Sequence, residues 1–126
     1  MSQSAQMSEA VQITSSEPAT LHVDMDHLLH YTMGDEKLAR EVLGLFSTQG
    51  RLYLEQLASA TDAKGRKAAA HTLKGSAQGV GAHDVANKAY AAEQLAESGD
   101  ETAWNQALGE LETAFAGADG FIANLD

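Results

Sequence analysis

The stretch from Asp62 to Gly81, DAKGRKAAAHTLKGSAQGVG, holds the pattern on which the reading of the whole chain turns. Asp62 stands where a carboxylate caps a helix, Ala70, Leu73, Ala77 and Val80 recur by three and four, and Gly81 supplies a stop. One amphipathic helix is expected, running to about Val80. On a wheel at about 100° per residue, Lys64, Lys67, His71, Lys74 and Gln78 fall on a second stripe, on the order of 120° from the apolar one. His71 is therefore expected to project into solvent. Four of the eight Lys and Arg residues, Lys64, Arg66, Lys67 and Lys74, gather around it within eleven positions. Gly75, one turn after His71 on the same side, costs about 1 kcal/mol relative to Ala inside a helix. Its missing side chain either clears an approach to the imidazole or, like that of Gly79, allows close helix packing.

Working outward, Asp24 can cap a short helix carrying Leu28, Leu29 and Met33, closed by Gly34. A long second helix follows from Asp35 to about Ala60. Its Leu38, Val42, Leu45 and Leu52 recur by four, three and seven and are expected to face the core. Leu43, Phe46, Leu54 and Leu57 lie on a flank turned away from that face. Part of this flank should sit under the first helix, and the remainder should form an exposed apolar patch of the kind that marks interaction sites. A fourth helix, about His83 to Ser98, should bury Val85, Ala89, Ala92 and Leu95. Gly99 and Asp100 form a stop and a cap before a fifth, from Glu101 toward Phe121, with Trp104, Leu108, Leu111 and Phe115 as its stripe. Nothing reads as strand. The expected fold is all-α, an antiparallel up-and-down four-helix bundle with a short additional N-terminal helix packed across one end. Residues 1–20 read as a flexible polar tail and residues 21–126 as the bundle domain.

With 126 residues the chain suits one domain, burying roughly two thirds of its unfolded surface. Ala and Leu dominate, and the single proline, Pro18, lies outside every expected helix. A net charge of −10 and a pI near 4.7 repel nucleic acid and anionic membrane surfaces. No apolar run is long enough to span a bilayer and the start lacks a leader pattern, so a cytoplasmic protein is expected. The absence of cysteine removes disulfides, thiolate metal sites and thiol nucleophiles.

The run Ala70-His71-Thr72-Leu73-Lys74-Gly75-Ser76-Ala77, followed by Gly81-Ala82, resembles the phosphoacceptor signature of histidine-containing phosphotransfer (HPt) domains. The likeness extends over Gly34 to Phe46, similar to the family's second helix. It also reaches Glu93, twenty-two residues after His71, where the family places an acidic or amide residue facing the histidine. Where many members carry Asn eight positions after the histidine, this chain has Gly79, with Gln78 just before. The resemblance implies a phosphorelay intermediate. His71 would accept from the phospho-aspartate of a response regulator receiver domain, or of a hybrid histidine kinase, and donate to another receiver. Lys74 and Gly75 would serve the transfer directly, with Lys67, Gln78 and Glu93 in support. Receiver docking is expected on Leu43, Phe46, Leu54 and Lys67. No cofactor is expected on the chain itself, because the magnesium would belong to the receiver.

The chemistry agrees with that implication. Near neutral pH an ordinary imidazole is mostly uncharged and keeps one ring nitrogen free for in-line attack. A carboxylate accepting from Nδ1 would leave Nε2 as the nucleophile. A nearby ammonium stabilises the negative equatorial oxygens of the transferred group. No P-loop or kinase glycine loop occurs, so ATP-dependent autophosphorylation is not expected.

Three other readings compete. His22, His27, His30 and His83 could furnish a metal site, with His27 and His30 sharing a helix face. The lysine stripe could serve only the solubility of a helical adaptor. A degenerate kinase dimerisation domain would need two subunits to complete its bundle, whereas this chain has helices enough to be a monomer.

Overall fold

The structure is a computed structural model that describes residues 22–125. The expected tail, residues 1–20, lies outside the described residues, as do Leu21 and Asp126. Five helices follow one another: α1 Met25–Tyr31, α2 Glu36–Ser59, α3 Ala63–Val80, α4 His83–Leu95 and α5 Glu101–Ala123. Among the described residues there is no strand. Four of the helices open in the same way. The side chains of Asp24, Asp35, Asp62 and Asp100 accept from the backbone N–H groups of His27, Leu38, Gly65 and Ala103, at 2.7–3.1 Å. Each such cap is worth about 1 kcal/mol, which is why the helix starts coincide with aspartates. Gly81 closes α3 in the left-handed conformation (φ 81°), and its carbonyl accepts from the Asp24 backbone N–H at 2.8 Å. The segment entering α1 is thereby tied to the α3–α4 turn.

α2 packs on α3, α3 on α4, α4 on α5, and α5 returns to α2, closing a ring of four; α1 touches α2 and α3. The buried face of α3 is Ala69, Ala70, Leu73, Ala77 and Val80, and that of α4 is Val85, Ala86, Ala89 and Ala92. Such small side chains let two helices approach closely. Polar groups flanking the seam then come within hydrogen-bond reach. Partners run in opposite directions along it: Lys67 meets Glu97, whereas His71 and Lys74 meet Glu93.

Two expectations are corrected here. On α2 the core face is Ala39, Leu43, Phe46, Ser47, Gly50 and Leu57, with Leu54 half-buried against it. Leu38, Leu45 and Leu52 point outward, Leu45 with 61% of its surface exposed. Leu43 and Phe46 therefore form no docking surface. The reason is that α5 is received by small residues. Phe115 packs against Gly50 and Phe46, and Asp119 is held by Ser47 and Arg51. A count of large apolar residues is blind to such a face. The second correction concerns Met33, which lies beyond α1 in the turn at φ 55°, fully solvated rather than packed with Leu28. α4 also ends earlier than expected, at Leu95, and α5 runs on to Ala123.

Candidate functional site

His71 sits midway along α3 on its outer face, its imidazole 67% exposed. Three residues on, Lys74 lies on the flank that faces α4. From α4, Glu93 reaches back with both carboxylate oxygens: Oε2 lies 2.9 Å from Nδ1 of His71, and Oε1 accepts from the Lys74 ammonium at 2.9 Å. A carboxylate only accepts, so the ring presents its N–H at Nδ1 and leaves Nε2 with the free lone pair. The Lys74 ammonium, foremost, and then the His71 hydrogen bond hold the Glu93 carboxyl below its ordinary value, against the opposing effect of burial. The acceptor is thus a carboxylate throughout the neutral range.

Lys74 is only 19% exposed and not solvated as its stripe suggested, because α4 closes over it. Beside Glu93, the ring centroid of Tyr90 lies 5.3 Å from the same ammonium. Tyr90 was not singled out from the sequence, although its place three residues before Glu93, off the buried stripe of α4, is a legible signal. Lys67 and Lys64 line an open groove with Ala63, Ala68, His71, Glu93 and Glu97. There Lys67 donates to Glu97 at 3.5 Å, while the imidazole is paired with Glu93. Gln78 is exposed two turns beyond His71.

Gly75 meets open space: beyond its chain neighbours and its own helix backbone, a Cβ built on it finds no atom of the described residues within 4 Å, and the same holds for Gly79. Among the described residues neither glycine is needed for packing. The surface beside His71 is left bare at the position where a side chain would overhang the imidazole.

A family model described as the Hpt domain matches residues 41–120, well over half of the chain, and the match spans every residue of this site. The chain belongs to the Hpt domain family. A solved structure from rice, named as a histidine-containing phosphotransfer protein, shares the fold. Its TM-score is 0.67 at 20% identity, over 80% of this chain and 79% of that one. No curated protein sequence matches the chain significantly. Hpt domains act in phosphorelays as phosphotransfer intermediates among receiver domains and histidine kinases, and membership in the family supports a histidine phosphotransfer role for this chain.

The remaining histidines lie apart from this site. His83 Nε2 lies 3.2 Å from Asp24 Oδ2, and the rings of His27 and His83 meet edge to face. Among the described residues no cluster of three or more His, Cys, Asp or Glu side chains is disposed to hold a metal ion. None of the described helices is long and apolar enough to cross a membrane.

Proposed function

We propose that His71 is the phosphoacceptor of this Hpt domain, taking a phosphoryl group from the phospho-aspartate of one response regulator receiver and passing it reversibly to another. The observation that carries this reading is the Glu93 carboxylate shared between Nδ1 of His71 and the Lys74 ammonium. It fixes the tautomer with Nε2 free and keeps a cation within two hydrogen bonds of the ring. The lone pair of Nε2 attacks phosphorus while the bond from phosphorus to the aspartate oxygen breaks. The aspartate leaves as a carboxylate, and the ring becomes an Nε2-phosphorylated imidazolium. Its Nδ1 proton stays hydrogen-bonded to Glu93, and Lys74 offsets the charge on the phosphoryl oxygens. Attack by the aspartate of a second receiver reverses the step. The chain needs no cofactor for this, magnesium being the receiver's.

The receiver docks over the bare face at Gly75. A groove lined by Gln56, Ala68 and Thr72 carries this face across to α2. One turn before Gln56, Leu52 begins the outward stripe with Leu45 and Leu38. These leucines supply the apolar part of docking in place of Leu43 and Phe46, and Lys67 contributes steering charge. The ring of helices is read as an antiparallel up-and-down bundle acting as a monomer in the cytoplasm. Incubation with a phosphorylated receiver and a magnesium salt tests the proposal: acid-labile, base-stable label should appear on the chain and be absent from His71→Gln. Label retained by folded His71→Gln would overturn it.

A further inference from the structure

The Lys74 ammonium is held from two sides by α4, by Glu93 Oε1 at 2.9 Å and by the face of Tyr90 at 5.3 Å from the ring centroid. Tyr90 is 52% exposed and contributes little to the core, whose share of α4 is Val85, Ala86, Ala89 and Ala92. Tyr90 and Glu93, three residues apart, share one side of α4 and together account for the part-burial of a lysine on an outer helix face. Without the ring, the Glu93 carboxylate alone restrains a four-carbon stem whose other rotamers extend the ammonium into water. With the ring, the charge is favoured further in that place, beside the carboxylate that also holds His71.

We infer that Tyr90 is a positioning residue for phosphoryl transfer, its ring face holding the Lys74 ammonium beside His71. The inference rests on the phosphoacceptor role proposed for His71. The contact is electrostatic, between a cation and the negative face of an aromatic ring, so it needs the ring and not the phenol hydroxyl. It reaches the reacting atoms only through Lys74.

The test compares Tyr90→Phe with Tyr90→Leu, measuring label transfer at saturating phosphorylated receiver, receiver affinity, and the titration of the Glu93 carboxyl by carbon NMR in the unphosphorylated chain. Tyr90→Phe should match the native chain in all three. Tyr90→Leu should transfer about two- to fivefold more slowly, the range a part-exposed cation–π contact supports, at unchanged affinity. Its Glu93 titration should move up toward the ordinary glutamate value. In a Lys74→Ala background the Leu substitution should cost nothing more, because the two effects share one contact. Native transfer with native Glu93 titration in Tyr90→Leu overturns the inference, and so does a loss confined to affinity, which would make Tyr90 a direct receiver contact. A native chain that takes no label overturns the phosphoacceptor reading instead. The NMR titration needs no receiver and keeps the two failures apart.

Discussion

Nδ1 of His71 lies 2.9 Å from Oε2 of Glu93, across the seam where the small residues of α3 and α4 bring the two helices together. Removing the carboxylate should therefore act on chemistry before it acts on fold. Glu93→Ala frees the ring to present either tautomer and unties Lys74, so transfer to His71 should slow by an order of magnitude or more, with far-ultraviolet circular dichroism unchanged. Native transfer rates in Glu93→Ala would show that the hydrogen bond does not orient the nucleophile.

The same carboxylate makes stability depend on pH. Its titration is lowered by Lys74 and His71 in the folded chain, from an ordinary 4.5. The stabilisation is then complete above the unfolded value and is lost as pH falls through the folded one. Urea midpoints of the native chain should decline from pH 5 toward pH 3, and Glu93→Gln should decline less steeply. Equal slopes would contradict the assignment.

Lys74→Ala should slow transfer or shorten the life of phospho-His71. Because Lys74 is part-buried on Glu93, the variant should also lose about 0.5–1 kcal/mol, the scale of an ion pair that remains partly solvated. Thermal melts and phosphohistidine decay check the two effects separately.

Gly75 and Gly50 make a paired prediction. A methyl at Gly75 meets nothing, so Gly75→Ala should gain up to about 1 kcal/mol of helix propensity while transfer persists. Gly75→Leu should fold and fail to accept from a receiver. A methyl at Gly50 collides with the Phe115 ring, so Gly50→Ala should lose about 1–3 kcal/mol, away from the site. If Gly75→Leu transfers at the native rate, the bare surface is not an approach path.

The two leucine sets of α2 separate docking from packing. Leu45→Asp should fold normally and bind a receiver more weakly, because Leu45 is exposed. Leu43→Asp buries an unpaired charge and should lose at least about 3 kcal/mol. Calorimetric titration with a receiver, alongside melting curves, reads both. Full affinity in Leu45→Asp would take that stripe out of the docking surface.

The course of α3 was legible because every signal on it agreed. Asp62 capped it, Gly81 ended it, and Leu73 with its alanines gave a face turned well away from His71. Even Glu93, distant in sequence, was reachable through the resemblance. The orientation of α2 was not legible. Leu38, Leu45 and Leu52 recur at intervals of seven and imitate a core stripe, whereas the buried face is built partly of Ala39, Ser47 and Gly50, whose small side chains mark a face less strongly than leucines do. The part-burial of Lys74 was equally hidden, since it depends on Tyr90 and Glu93 arriving from another helix. Positions on one helix follow from periodicity, but what covers them follows from a neighbour's side-chain sizes.

The most direct measurement is phosphorus NMR of the chain after transfer from a phosphorylated receiver, with the modified residue located by peptide mass spectrometry. One phosphoryl group bonded to Nε2 of His71 is predicted, in a species stable to base and labile to acid. Phosphate on Nδ1 of His71, on another histidine, or on no histidine at all would contradict the account.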